Sequence, residues 1–85
     1  MYNPPVPKNI FSREQQELQS LLRAMRTQAG LTQADLAKRL SQSQSFVSKY
    51  ESGERRLDCI ELRQVCLALG VDFPDFIRRF EESVR

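Results

Sequence analysis

Apolar residues recur at one-turn spacing along most of the chain, and polar residues occupy the positions between them. The first apolar stripe contains Leu18, Leu21, Leu22 and Met25, which share one face of a helix. No segment alternates apolar and polar residues as a half-buried strand does. The pattern therefore predicts an all-α fold in which each stripe faces one small core.

Residues that commonly begin or end helices divide this pattern into five segments. Three predicted N-caps are followed three residues later by a polar partner: Ser12 with Gln15, Thr32 with Asp35, and Asp58 with Glu61. Ser43 and Asp72 are the expected N-caps of the third and fifth helices, and each glycine follows a predicted helix. We expect a five-helix domain over residues 12–85. Residues 1–11, which carry three prolines, should form an extended or disordered arm.

The second and third segments are short amphipathic helices joined by a few Ser and Gln residues. Because Val47 and Tyr50 must face the core and Gly53 must end the helix, Ser43 becomes its N-cap. Ser41 then lies in the turn, at a position expected to need a positive φ. The opposite side of the helix carries amide, hydroxyl and ammonium groups that can bond base edges: Gln44, Ser45, Ser48 and Lys49. The pair predicts a helix-turn-helix that reads double-stranded DNA with these four side chains.

The segment 31–53 resembles the helix-turn-helix domain of the phage lambda repressor and Cro family, also called the XRE-like family of transcriptional regulators. Gln33 matches the Gln at the start of the family's second helix. Gln44 and Ser45 fall where lambda repressor carries a Gln-Ser pair at the start of its recognition helix. From residue 18 to about residue 80, the chain can be aligned with the family's five-helix domain, which reinforces the predicted all-α fold.

The resemblance also implies a structural ion pair. Glu51 matches the glutamate in the Glu-x-Gly that ends the recognition helix, and Arg26 matches a first-helix arginine that pairs with it in several members. Arg26 lies one residue past Met25, at the flank of the buried stripe, which supports the pairing. Ser41 is the one departure that matters, because the family's turn usually carries Gly.

The family's DNA contacts suggest roles for the residues around the motif. Gln33 would reach both a phosphate and the side chain of Gln44, and the loop after the recognition helix would touch phosphates. Two roles stay open for Phe46, a contact with DNA or packing against the second helix. The Tyr50 hydroxyl should reach the surface or a partner. We expect phosphate contacts from seven residues: Gln33, Thr32, Phe46, Ser52, Arg55, Arg56 and Lys38.

The net charge of +2 conceals an asymmetry. Residues 1–57 hold nine Lys and Arg against five Asp and Glu, whereas residues 58–85 hold four against six. The basic part contains the helix-turn-helix pattern, and phosphate contacts require such cations. The alternative is that these charges only cover solvated helical faces.

Composition argues against catalysis and metal binding. The chain has no His, and its two cysteines, Cys59 and Cys66, lie about 10 Å apart along one predicted helix, too far to form a disulfide. A His-based triad, a protein zinc site and a Gly-rich phosphate loop are all missing, so we expect no enzyme activity and no cofactor. No apolar run approaches the ~20 residues of a membrane span, and no signal peptide is evident, which predicts a cytoplasmic protein.

A single recognition helix covers only a few base pairs, so two copies on two half-sites are expected. The apolar residues of the last helix are the predicted homodimer interface: Phe73, Phe76, Phe80 and Val84. The sequence thus predicts a sequence-specific regulator, in the first instance a repressor on a palindromic operator. The alternative is an antitoxin-like module that chiefly binds another protein, with DNA binding secondary.

Overall fold

The computed structural model describes residues 8–85, with side chains from residue 13 onward. Five helices follow one another: α1 (Lys8–Gln28), α2 (Gln33–Arg39), α3 (Gln44–Ser52), α4 (Cys59–Leu69) and α5 (Phe73–Val84). No strand occurs within this described part of the chain. The predicted all-α, five-helix fold is confirmed.

Helix α1 begins earlier than its capping signal predicts. It starts at Lys8, so the expected N-cap Ser12 lies inside the helix. The last proline before the helix is Pro7, and the sequence from Lys8 to Gln28 contains no proline or glycine that would break the helix. The predicted arm therefore loses residues 8–11 to α1, and its remaining residues, 1–7, lie outside the described part of the chain.

The caps of the inner helices follow the sequence closely. Thr32 accepts a hydrogen bond from the Asp35 backbone N–H at 3.0 Å, and the Asp35 carboxylate accepts one from the Thr32 backbone at 3.0 Å. Asp58 and Glu61 form the same reciprocal box at the start of α4, at 2.7 and 2.9 Å. The other two expected N-caps occupy the cap position without a side-chain hydrogen bond: Ser43 and Asp72.

One core gathers residues from all five helices. Its buried apolar members are Leu22, Met25, Leu36, Ala37, Val47, Tyr50, Val65, Cys66, Leu69 and Phe76. The Tyr50 side chain corrects an expectation, because its hydroxyl is buried without a hydrogen-bond partner instead of reaching the surface. Burial raises the pKa of this hydroxyl above its ordinary value. Cys59 and Cys66 are both free thiols, the first exposed and the second buried.

Most of the α5 residues that were expected at a dimer interface pack within the domain instead. Phe76 is fully buried, so its assignment to a dimer interface is wrong. Phe73 and Phe80 are half-buried and pack against the core, and Val84 is half-buried as well. A domain this small has few large side chains with which to fill its interior, and α5 supplies aromatic rings for that purpose.

The turn between α2 and α3 contains the expected left-handed residue. Ser41 has a φ of 55° and is the one described non-glycine residue with a positive φ. Its N–H donates to the Lys38 carbonyl at 3.1 Å, while the Gln42 N–H donates to the Ala37 carbonyl at 2.9 Å. This is the Schellman pattern, and Gly30 and Gly70 close α1 and α4 in the same way. Ser41 thus ends α2 in the left-handed conformation that glycine adopts at the ends of α1 and α4, although Ser41 carries a Cβ.

Replacing Ser41 by glycine should therefore stabilise the protein. Removing the Cβ relieves a left-handed strain of about 1 kcal/mol, which should raise the thermal midpoint by a few degrees in a domain of this size. Thermal unfolding followed by circular dichroism measures the shift. Gly70→Ser is the matched control and should lower the midpoint, because a Cβ there meets no atom within 4 Å and only the backbone strain changes. A loss of stability in Ser41→Gly would contradict the account.

Candidate nucleic-acid interface

Helix α3 has one buried face and one exposed polar face. The buried residues are Val47, Tyr50 and Glu51. The four predicted base-contacting residues are all exposed: Gln44, Ser45, Ser48 and Lys49. The structure therefore brings them together on the outer surface, as the helical spacing predicts. Their bond-forming groups are an amide, two hydroxyls and an ammonium.

A buried carboxylate fixes the C-terminal end of α3 to α1. The Glu51 side chain has no exposed surface, whereas that of Arg26 is 12% exposed. Arg26 donates from Nε to Oε2 of Glu51 at 2.7 Å and from Nη2 to Oε1 at 3.0 Å, a two-pronged ion pair. The remaining Nη1 donates to the Leu31 carbonyl at 2.8 Å and so ties down the loop before α2.

The same carboxylate reaches α2. Gln33 donates from Nε2 to Oε1 of Glu51 at 3.0 Å. The expectation that this amide meets the Gln44 side chain is therefore corrected, because an ionised carboxylate is a stronger acceptor than a neutral amide and it lies within reach. Gln33 links α2 to α3 by this route, and Glu51 thereby joins three helices.

Arg23 is a member of this cluster that the sequence analysis missed. Its Nε lies 3.5 Å from Oε1 of Glu51, the oxygen that also accepts from Gln33, and its side chain is 57% exposed. One signal could have found it, since Arg23 precedes Arg26 by three residues and therefore lies one turn away on the same side of α1. Arg23 and Gln33 therefore flank the same oxygen of the buried Glu51 carboxylate.

These contacts decide the ionisation of Glu51. Burial opposes the charged form, but hydrogen bonds from Arg26 and Gln33 and the positive charges of Arg26 and Arg23 outweigh it. The pKa of Glu51 therefore lies below its ordinary value. The carboxylate stays ionised at neutral pH even though water does not reach it.

A second cluster fixes the segment after α3, and Arg55 takes part in it. Its two terminal nitrogens donate to the Glu61 carboxylate at 3.1 and 2.6 Å, and its expected contact with phosphate stays a prediction. Glu61 accepts the Asp58 backbone N–H as well, since a carboxylate has lone pairs for both. Hydrogen bonds from Arg55 and from the Asp58 backbone lower the pKa of Glu61.

Phe46 packs within this second cluster. The Arg55 guanidinium lies 4.7 Å from the centre of the Phe46 ring, a cation–π arrangement. Phe46 also meets Tyr50 edge to face, with ring centres 5.7 Å apart. The half-buried ring thus has a structural role in the free protein, and its contact with DNA stays a prediction.

The other predicted phosphate contacts lie at the surface. The exposed residues are Thr32, Lys38, Ser52 and Arg56. The Ser52 hydroxyl donates to the Lys49 carbonyl at 3.1 Å, which holds it at the end of α3. These side chains offer hydroxyl and cationic groups that suit a polyanion.

Comparison with known proteins identifies this architecture. A helix-turn-helix family model matches residues 22–76. An XRE-family-like protein from Pseudomonas syringae pv. tomato str. DC3000 is 42% identical, with a TM-score of 0.85 and coverage of 92% of this chain and 95% of that one. The chain belongs to the XRE family of helix-turn-helix proteins. No curated protein matches the sequence.

Other solved structures share the fold at lower identity. The clp gene regulator ClgR from Corynebacterium glutamicum is 28% identical, with a TM-score of 0.73 and coverage of 84% of this chain and 76% of that one. The wild-type restriction-modification controller protein C.Esp1396I is 21% identical, with a TM-score of 0.78 and coverage of 84% and 93%, and this likeness concerns the fold alone.

Membership of the XRE family makes this chain a DNA-binding transcriptional regulator and not an enzyme. No helix among the described residues is long and apolar enough to cross a membrane.

Glu51→Gln should destabilise the XRE domain severely. The neutral amide leaves Arg26 largely buried without its counter-charge, and breaking such a pair costs about 3 to 5 kcal/mol, against a total of about 5 to 15 kcal/mol for a typical small domain. Urea denaturation measures the loss. Glu54→Gln is the matched control, because Glu54 is exposed and the same change there should alter stability by less than about 0.5 kcal/mol.

The same variant should change the response to acid. Because the pKa of Glu51 is lowered by folding, its stabilising contribution is present above the unfolded-state pKa of about 4.3. That contribution is lost as the pH falls through the lower folded-state value. Glu51→Gln should therefore lose part of the acid sensitivity of the wild type. Equal slopes of unfolding free energy against pH below pH 5 in both proteins would contradict this assignment.

Proposed function

We propose that this XRE-family protein is a repressor that binds a palindromic operator as a homodimer, with α3 in the major groove. The observation that carries the proposal is the exposed face of α3, where Gln44, Ser45, Ser48 and Lys49 lie opposite its buried face. A single α-helix fits the major groove, and these groups can read the donors and acceptors of base edges there. Repression requires only that the bound protein cover a site that overlaps a promoter. Such a protein would act in the cytoplasm, where its DNA lies.

The two clusters around α3 support a role in reading sequence. Glu51 holds one end of the helix through Arg26 and Gln33, and Arg55 holds Phe46 through a stacking contact. Base readout depends on side chains presented from a rigid element, since a displacement of about 1 Å loses a hydrogen bond. The reading helix is therefore set in place before DNA binds.

Phosphate contacts would come from the exposed residues around that helix. Arg56 lies in the loop after α3, and Lys38 lies at the end of α2; both are exposed. Arg23 and Gln33 would meet the backbone on the α1 side, because they flank the same oxygen of Glu51 and Arg23 is more than half exposed. Such contacts position the domain and carry no sequence information.

Two copies are part of the proposal because one α3 helix spans only a few base pairs. Symmetric half-sites about 34 Å apart would engage the two recognition helices of a dimer. The operator would then be a palindrome that reflects the symmetry of the protein.

Gln44→Ala should weaken binding to the preferred site by about 1 to 3 kcal/mol and relax the choice of base at one position of each half-site. An amide can donate to and accept from the same adenine edge, and alanine can do neither. Selection from a random DNA pool followed by titration measures both effects. Gln42→Ala is the matched control, because Gln42 is also exposed but lies in the turn before α3. Equal weakening on every sequence would contradict base readout by Gln44.

Arg56→Ala should weaken good and poor sites alike. Losing one phosphate contact should lower the slope of log affinity against log salt by about one unit. Titrations at several salt concentrations test this, and Arg79→Ala on α5 should leave the slope unchanged. Arg55→Ala should instead lower stability, because Arg55 is already engaged by Glu61 and Phe46. A changed base preference in Arg56→Ala would reject its assignment to phosphate.

A further inference from the structure

Arg55 and Arg56 are neighbours in the loop after α3, but they differ in what they contact. Arg55 is paired with Glu61, whereas no ion pair of Arg56 occurs among residues 13–85. Arg56 is exposed and is a phosphate contact in the proposed function. The difference between two arginines that the sequence places side by side is therefore the carboxylate of Glu61.

The Arg55–Glu61 pair lies beside the start of the recognition helix. The Arg55 guanidinium stacks on Phe46, which belongs to the first turn of α3. Glu61 and Phe46 also line one groove, together with Ser41 and Gln42 of the turn before α3. The first residues of a recognition helix are the ones that reach base edges in the major groove. The carboxylate of Glu61 is therefore close to where a DNA backbone would pass in the proposed function.

Folding alone does not account for the negative charge of Glu61. The Glu51 side chain has no exposed surface, so its charge must be compensated by Arg26. The side chains of Arg55 and Glu61 are instead 40% and 27% exposed, and an ion pair that is open to water contributes little to stability. Glu61 also accepts the Asp58 backbone N–H at the start of α4, but that bond needs only an oxygen, which glutamine provides as well.

Pairing with Glu61 reduces what Arg55 can offer to a phosphate. Nη1 and Nη2 of Arg55 donate to the two oxygens of the carboxylate, so this edge of the guanidinium is occupied. A phosphate binds an arginine through the same kind of two-pronged hydrogen bonding. The charge of Glu61 also offsets that of Arg55, and sequence-independent affinity for DNA grows with the number of cations that neutralise phosphates. Glu61 and a phosphate would thus bind the same group of Arg55.

We propose that Glu61 restrains the binding of this domain to DNA by competing with phosphates for Arg55. The inference rests on the proposed function, because it concerns the surface around α3 that meets DNA there. The restraint acts on every sequence alike, since phosphate contacts carry no sequence information. Sites that offer only phosphate contacts then become too weak to hold the protein, whereas a site whose bases are read by α3 is retained. Non-specific sites greatly outnumber an operator in a genome, so this restraint favours the operator.

DNA titration with Glu61→Gln tests the restraint. The variant removes the negative charge and keeps an oxygen that can cap α4. It should bind the sequence selected from a random pool and a scrambled duplex more tightly than the wild type, by the same factor. The slope of log affinity against log salt should steepen by about one unit, so this gain should shrink about threefold between 50 and 200 mM salt. Glu61→Ala, which places a strong helix former at the same position, should change binding in the same direction.

A second substitution shows whether Glu61 acts through Arg55. In an Arg55→Gln background, Glu61→Gln should no longer change the salt slope, because the arginine that it would release is absent. Glu54→Gln and Glu82→Gln are the matched controls, since each removes one negative charge from an exposed position, the first in the loop after α3 and the second on α5. Both controls should leave the slope unchanged. Circular dichroism should show the same helix content for every variant, which separates an effect on binding from an effect on the fold.

Three outcomes would overturn the proposal. One is unchanged or weaker DNA binding by both Glu61 variants. Another is an equal gain from Glu61→Gln in the Arg55→Gln background, which would assign the effect to direct repulsion of DNA by Glu61. The third is an equal gain from Glu54→Gln, which would assign it to net charge.

Elution from immobilised heparin separates this proposal from the proposed function, because heparin is a polyanion without bases. If Glu61→Gln needs more salt to elute than the wild type and no sequence is selected from a DNA pool, the proposed function fails and the competition for Arg55 stands. If a sequence is selected and Glu61→Gln changes neither elution nor DNA affinity, the competition fails and the proposed function stands.

Discussion

The structure depends on keeping one buried charge satisfied. Glu51 is ionised in a place that water does not reach, and removing a carboxylate from water is costly unless its oxygens are fully paired. Arg26 occupies both oxygens, and Gln33 shares one of them. Arg26 lies on α1 and Gln33 on α2, so the requirement to satisfy Glu51 sets the relative positions of α1, α2 and α3. Apolar packing alone would tolerate several such arrangements.

The second cluster holds α3 through Phe46. Arg55 stacks on Phe46 and pairs with Glu61, which in turn caps α4. The loop after α3, the ring on α3 and the start of α4 are thereby joined. In the proposed function, a helix held by two polar clusters loses little conformational freedom when it binds DNA, which leaves more of its contact energy for discrimination between sequences. The polar groups of these two clusters would thus contribute both to the stability of the domain and to its specificity for DNA.

Local signals predicted much of this structure, because they concern neighbouring residues. The capping boxes at Thr32 and Asp58 and the left-handed Ser41 follow from backbone geometry within a few positions. The Arg26 contact with Glu51, which joins distant residues, was expected only because the motif resembles a known family. The Arg55 contact with Glu61 was not predicted, since sequence spacing does not say whether a phosphate or a carboxylate of the protein lies nearer to Arg55 in space. The apolar spacing around Phe76 suits either a core or an interface, and only the packing of the folded domain shows that its ring lies in the core.

The donors that surround Glu51 have a consequence for how the chain folds. Arg23, Arg26 and Gln33 all precede it within one short stretch of sequence, and none comes from α4 or α5. Closing loops of this length costs little entropy, so the first three helices can assemble as a local unit. The Glu51 carboxylate is then removed from water in the same folding step in which Arg23, Arg26 and Gln33 reach it. This step does not require prior contacts with α4 or α5. The part of the molecule that we propose meets DNA is therefore also the part that can nucleate its folding.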